Sequence, residues 1–188
     1  MRMMGLFLVF AHFFSNPSMA ATLSLLGGFN YAAPTDIQAG VDQRPTGSAA
    51  PAFGMALDLP FSDLPFSFES GVFLKSSRSE SSVGGSGERT GQWTDIPLTV
   101  HYHFDPSVSL GAGGYWSFFR SGNAIQGSES PDSGILLDLR AHIRVTDDLF
   151  FLVDGRYLHG LTNLSAVAGD TYNTRSVQIL AGASYTLF

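Results

Sequence analysis

Ionisable side chains spaced two residues apart are the groups in this 188-residue sequence whose types and spacing could do chemistry. His101 and His103 could present two imidazoles on one face of a strand, an arrangement that can chelate a metal ion. The sequence has no cysteine to add thiolate ligands, and Asp95, the carboxylate nearest in that segment, lies six residues away. Hydrogen bonding therefore outweighs metal binding for these histidines, and we predict no metal site and no cofactor.

A second set of ionisable residues alternates with apolar residues in the segment 135–145. Asp138, Arg140, His142 and Arg144 would share one strand face, and the apolar residues between them would share the other. Acids and bases on one face can pair with each other, so this face is suited to ion pairs inside the protein.

The elements that must position these residues are strands, because apolar residues recur with a period of two along most of the chain. Eight segments show the alternation: 22–31, 52–59, 66–75, 93–104, 108–119, 135–145, 149–159 and 176–187. The connections 60–65, 105–107 and 146–148 are short. The connections 32–51, 76–92, 120–134 and 160–175 are long and polar. Short and long connections alternate along the chain. This alternation predicts an all-β, eight-stranded, antiparallel up-and-down barrel with tight turns at one end and long loops at the other.

The alternation alone leaves two kinds of barrel open, since a soluble ligand-binding barrel has the same pattern with the apolar face inside. The apolar set contains no Asp, Glu, Lys or Arg in any predicted strand, as a lipid-facing surface requires. Aromatic residues gather near the strand ends, as interfacial girdles do: Phe61, Phe66, Phe104 and Phe151 at the turn end, and Tyr31, Phe53, Trp93, Trp116 and Tyr157 at the loop end. We therefore predict a transmembrane β-barrel with short periplasmic turns and long extracellular loops.

The first twenty residues have the features of a cleaved signal peptide. Arg2 is followed by an apolar run over 5–14, and small residues precede a predicted cleavage after Ala20. The run is too short to span a bilayer. The prediction is thus a signal peptide over 1–20 and a barrel domain over 21–188, located in a bacterial outer membrane. A formal charge of −6 without a basic run argues against nucleic acid as a partner.

Two short motifs resemble those of the small outer-membrane β-barrel proteins, the group of the OmpA transmembrane domain, OmpX and PorT-like barrels. "RYLHGLTNL" at 156–164 is similar to a stretch common in PorT-like barrels. "GASYTLF" at 182–188 resembles their C-terminal assembly signal, with Gly182, Tyr185 and Leu187 at the matching positions and Phe188 as an additional residue. The resemblance implies three kinds of partner: outer-membrane lipids with lipopolysaccharide, the barrel-assembly machinery through the C-terminal strand, and extracellular partners of the loops.

If the apolar set faces lipid, the alternate positions fill the lumen with polar side chains. The predicted lumen polar network comprises Asp58, Glu69, Asp95, His101, His103, Asp138, Arg140, His142, Arg144, Asp154 and Arg156, together with Lys75. Small residues occupy the facing wall: Gly28, Gly54, Gly71, Ser109, Gly111 and Gly113. An eight-stranded barrel is just wide enough to be filled by side chains. We therefore predict a salt-bridged plug in which long arginines occupy the space beside the glycines, in preference to a conducting pore or an ion site.

Three functions are compatible with this sequence. The favoured one is a non-enzymatic outer-membrane barrel with a structural or surface-interaction role. The first alternative is a narrow porin-like channel, or one passing small apolar molecules as OmpW-like barrels do. The second is a lipid A-modifying enzyme with a His–Ser pair. Against the enzyme, Ser165 lies in a predicted loop six residues after His159, so the two do not share a strand face. We predict an interfacial role for His159 and no catalytic residue.

Overall fold

The computed structural model describes residues 20–38, 40–42, 46–80, 88–122, 131–165 and 168–187. Residues 1–19 and Phe188 lie outside the described residues, so the signal peptide and the placement of Phe188 remain predictions. No helix among the described residues is long and apolar enough to cross a membrane.

The described residues form eleven strands joined by turns and irregular segments. In chain order they are β1 Thr22–Ala32, β2 Thr35–Gln38, β3 Val41–Asp42, β4 Thr46–Pro60, β5 Phe66–Glu80, β6 Glu88–Asp105, β7 Val108–Gly122, β8 Asp132–Arg144, β9 Leu149–Gly160, β10 Thr171–Asn173 and β11 Arg175–Thr186. Eight of them, β1, β4 to β9 and β11, close into a barrel in which every neighbouring pair is antiparallel. Closure occurs where β1 pairs with both β4 and β11, and it confirms the predicted eight-stranded antiparallel barrel.

Several barrel strands are longer than the apolar alternation predicts. β4 begins at Thr46, inside the predicted loop 32–51. β5 continues to Glu80 and β6 begins at Glu88, so these two strands take up most of the predicted loop 76–92. The strand ladder is made by backbone groups, so it continues where polar side chains have replaced apolar ones. Apolar alternation marks only part of β4, β5 and β6, and for that reason the predicted bounds of the loops 32–51 and 76–92 were wrong.

The long connections at the loop end contain a second, small sheet. β2 pairs with β3 and with β10, so the connection after β1 and the connection after β9 are joined by backbone hydrogen bonds. The two connections are therefore held together at the loop end of the barrel.

The two faces of the barrel wall differ sharply in composition. The apolar positions of the alternation point outward, with Leu25, Phe29 and Leu139 between 57% and 65% exposed. The alternate positions point into the lumen, where Glu69 and Arg140 are almost fully buried. The outer surface is therefore apolar and the charged side chains of the wall lie in the interior, the reverse of a soluble ligand-binding barrel.

Four of the five aromatic residues predicted at the loop-end rim lie on the outer surface: Tyr31, Phe53, Trp116 and Tyr157. Trp93 does not. It has the same strand parity as Asp95 and therefore points into the lumen, where it is buried and its Nε1–H donates to Ser77 Oγ at 3.2 Å. Its ring also packs edge-on against Phe119, 5.1 Å away. The prediction of an interfacial role for Trp93 was wrong.

Candidate functional site: the lumen network

A carboxylate held between two arginines forms the centre of the lumen. Glu69 projects from β5, and Arg140 and Arg156 project from β8 and β9. Arg140 Nη1 lies 2.5 Å from Glu69 Oε2, and Arg156 Nη2 donates to Glu69 Oε1 at 3.1 Å. All three residues are at most 2% exposed. The two arginines thus cross the lumen and tie two strands to a third.

Asp154 and Asp138 surround the same guanidinium groups from the arginines' own side of the barrel. Asp154 Oδ2 accepts from Arg140 Nε at 3.2 Å and from Arg156 Nε at 2.8 Å. Asp138 Oδ2 lies 3.8 Å from Arg140 Nη2, and its Oδ1 lies 3.3 Å from His101 Nδ1. Each guanidinium therefore serves more than one carboxylate, which compensates for removing these charges from water.

Towards the turn end the network continues through hydroxyl and imidazole groups. Asp58 Oδ2 is 3.9 Å from Arg140 Nη1 and accepts a hydrogen bond from Ser67 Oγ at 2.9 Å. The same hydroxyl lies 2.8 Å from His103 Nε2. We call Asp58, Glu69, His101, Asp138, Arg140, Asp154 and Arg156 the lumen network.

Towards the loop end a separate charged group lies above the lumen network. Lys75 Nζ is 2.8 Å from Asp95 Oδ2, and Ser117 Oγ donates a hydrogen bond to the same carboxylate. Nearby, Tyr115 donates its hydroxyl to Asp132 Oδ2 at 3.1 Å. Tyr115 and Asp132 are not among the predicted lumen residues. The parity of the predicted strand 108–119 places Tyr115 in the lumen, whereas Asp132 falls in the predicted loop 120–134.

Apolar side chains fill the space between these polar groups. Phe73, 1% exposed, packs with five other buried apolar residues: Leu26, Ala52, Ala56, Leu152 and Leu180. The guanidinium of Arg156 lies 4.1 Å from the centre of the Phe73 ring, a cation–π contact. The predicted lumen polar network does not include this apolar cluster, because it comprises only the polar residues of inward parity.

At three of the lumen glycines, Gly54, Gly71 and Gly111, the neighbouring side chains are not arginines. The Phe73 ring lies where a side chain at Gly54 or Gly71 would project, and the Asp138 carboxylate lies where a side chain at Gly111 would project. The prediction was therefore wrong about which groups use this space. Glycine permits the close approach of Phe73 and Asp138, and the arginines reach carboxylates instead.

Arg144, predicted in the lumen, lies outside it. Its side chain is 67% exposed, 3.8 Å from Asp147 in the turn after β8 and 5.8 Å from the Phe150 ring. His142 is half-buried and its ring meets Phe150 edge-on at 6.3 Å. Both have lumen parity, but β8 ends at Arg144, where the barrel opens at the turn end. The prediction for Arg144 was wrong for this reason.

The described residues include one set with metal-ligand spacing. One ligand atom each from Asp58, Glu69 and His101 lie within 4.8 Å of one another. The Arg140 guanidinium already lies among these carboxylates and supplies a positive charge there. His101 Nε2 lies 3.1 Å from Thr99 Oγ1 and His103 Nε2 contacts Ser67, so the two histidines bond different partners.

The C-terminal strand β11 closes the barrel between β1 and β9. Tyr185 and Leu187 are exposed on the outer surface, and the Leu187 N–H donates to the Ala21 carbonyl at 2.7 Å. Gly182 faces β1 so closely that a Cβ would collide with the Leu25 carbonyl. The strand is therefore paired along both edges almost to its end.

Comparison with known proteins supports the fold. No family model and no curated protein sequence matches the chain. Among solved structures, the outer membrane protein OprG from Pseudomonas aeruginosa aligns over 89% of this chain and 96% of its own, with 15% identity and a TM-score of 0.60. Neisserial surface protein A aligns over 90% and 99%, with 15% identity and a TM-score of 0.54. The outer membrane protein AlkL aligns over 87% and 90%, with 14% identity and a TM-score of 0.51. At these identities the likeness shows a shared barrel fold.

Proposed function

We propose that this protein is an integral outer-membrane barrel without enzymatic activity, whose lumen is closed by its own side chains and whose role is structural or in surface interaction through its long loops. In this proposal the short turns face the periplasm and the loop end faces outward. The resemblance to the small outer-membrane barrels and the three structures named above support the location.

The outer surface of the barrel supports a membrane location. Large apolar side chains on all eight barrel strands are exposed, including Leu25, Met55, Leu110 and Ile179 at 48–64%. So large an exposed apolar surface is incompatible with a monomer in water. A closed sheet satisfies its backbone hydrogen bonds internally, which is the condition for spanning hydrocarbon with strands.

The lumen network is the observation that carries the proposal of a closed barrel. Glu69, Arg140, Asp154 and Arg156 are nearly inaccessible, and the Phe73 cluster packs beside them. The cavity beneath the loop-end sheet, lined by Asn30, Lys75 and other residues, has a volume of about 30 Å³. That volume holds one or two water molecules and is no passage for a solute.

The two alternative functions have less support. A channel requires a continuous path, and ion pairs between opposite walls cross the middle of the lumen. For a lipid-modifying enzyme, His159 would have to act as a base. Its ring instead stacks on Tyr157 with centroids 6.4 Å apart, as expected for an interfacial residue.

Fractionation of cells expressing the full chain tests the proposed location. We expect the protein in the outer-membrane fraction, with heat-modifiable migration on SDS gels. Protease added to intact cells should cut the protein within the connections after β5 and β7. It should leave the turns after β4, β6 and β8 uncut. Recovery in the soluble fraction, or cleavage of intact cells at the turns only, would contradict the proposal.

A further inference from the structure

The outer surface of β4 to β7 carries an apolar trough that ends at an arginine. The trough has a volume of about 1030 Å³, and its walls include Phe53, Met55, Val72, Leu74 and Phe118. These walls are aliphatic and aromatic, and none of the described residues that line the trough is acidic. This volume is at the upper end of the range of small-molecule clefts.

Arg120 lies at the loop end of this trough, at an irregularity in the barrel, and has the outward parity of Trp116 and Phe118. Gln92 pairs with Ser121 and Trp93 pairs with Phe119, so Arg120 is the extra residue of a β-bulge in β7. Bulges re-aim side chains. Arg120 lines both the trough and an adjoining pocket of about 170 Å³ formed with Phe53, Leu74 and Gln92. Its side chain therefore lies over neighbouring strands on the outer surface.

The charge of Arg120 has no counter-charge among the described residues. None of the ion pairs between them involves Arg120, and its side chain is exposed. A guanidinium at the edge of an apolar surface suits an anionic group attached to acyl chains, and its planar fork matches phosphate in particular.

We propose that this trough is a lipid-binding site that holds the acyl chains of a lipid A-type phosphoglycolipid, with a lipid phosphate bound by Arg120. The inference rests on the proposed function, because the proposed function places the loop end of the barrel in the outer leaflet, where lipopolysaccharide is the lipid. The trough supplies apolar contact for the chains and Arg120 supplies the contact that distinguishes a phosphorylated headgroup.

Native mass spectrometry of the refolded mature barrel tests the site with three probes: bisphosphorylated lipid A, dephosphorylated lipid A and phosphatidylglycerol. We expect bisphosphorylated lipid A to bind about tenfold more tightly than the dephosphorylated form. Arg120→Gln should abolish that preference. The matched control is Arg175→Gln, because Arg175 is an exposed arginine at the same end of the barrel on β11.

A second variant tests the trough itself. Phe53→Ala removes an outward ring that is 56% exposed, so folding is preserved while both lipid A forms should bind several-fold more weakly. Three results would overturn the site: an unchanged preference in Arg120→Gln, an equal loss in Arg175→Gln, or tighter binding of phosphatidylglycerol than of lipid A. Failure of the proposed function is seen separately, as absence of the protein from the outer-membrane fraction.

Discussion

Replacing Arg140 by methionine should remove the main counter-charge of the lumen and leave the packing nearly unchanged. Methionine retains an unbranched chain, so the perturbation is chiefly the loss of the guanidinium. Arg140 lies 2.5 Å from Glu69, 3.1 Å from Asp154, 3.8 Å from Asp138 and 3.9 Å from Asp58. In the variant Arg156 still serves Glu69 and Asp154, while Asp58 and Asp138 lose the guanidinium that faces them.

The expected loss follows from the burial of these charges. Removing one partner of a buried ion pair typically destabilises a protein by about 3–5 kcal/mol. For a chain of this length each kcal/mol lowers the melting temperature by about 2–4 °C, so Arg140→Met should melt about 6–20 °C below the wild type. The double variant Arg140→Met/Asp138→Asn should recover part of this loss, because it removes one of the two carboxylates that lose their guanidinium.

The assay is the fraction of heat-modifiable, folded barrel on SDS gels after incubation of micellar protein over a range of temperatures. Arg144→Met is the matched control, because Arg144 is an arginine on the same strand with its side chain 67% exposed, and its loss should cost less than about 0.5 kcal/mol. If Arg140→Met and Arg144→Met melt together, within about 2 °C of the wild type, the lumen network does not stabilise the barrel.

Three further predictions concern the outer surface, the apolar cluster and assembly. Leu139→Arg, at the middle of the outward face of β8, should lower the free energy of unfolding in lipid vesicles by about 2–4 kcal/mol, and Val145→Arg at the turn end by about 0–1 kcal/mol; equal effects would mean that Leu139 does not face hydrocarbon. Phe73→Ala should lower the urea-unfolding free energy by about 3–5 kcal/mol, since it empties the centre of the lumen cluster; a loss below about 1 kcal/mol would show that the ring's burial contributes little. Tyr185→Asp should reduce the membrane-inserted yield more than Phe188→Ala, because Tyr185 faces outward on β11; the reverse order would contradict the assembly role assigned to the outward residues of that strand.

The barrel could be predicted from the sequence because charged residues are absent from alternate positions of its strands. Leu139 and Ile143 mark the outer face of β8, and the same alternation in seven other segments predicts the eight strands of the barrel. Strand ends were less predictable. Backbone pairing includes polar residues at the start of β4, from Thr46, and at the end of β5, as far as Glu80. β10 lies wholly within polar sequence, so the side-chain pattern gives no signal in any of these three places.

Strand parity placed Glu69, Arg140 and Arg156 in the lumen but could not show which of them meet. Their contacts depend on the relative heights of β5, β8 and β9, which the pairing registers set and the side-chain pattern does not reveal. Arg144 shows the limit of parity, because a residue of inward parity at the end of its strand lies beyond the closed part of the lumen. Phe73 shows a second limit of parity. An apolar residue of inward parity cannot be distinguished by its type from the apolar residues that face outward.

Planar-bilayer recording of the refolded barrel over residues 21–188 tests the closed lumen most directly. With Arg140 and Arg156 bridging opposite walls to Glu69, we predict insertion without stable single-channel steps. Insertion is checked independently by heat-modifiable migration of the same preparation. Stable unitary steps from wild-type protein, with a conductance that changes in Arg140→Ala, would contradict the closed barrel and establish a channel through the lumen network.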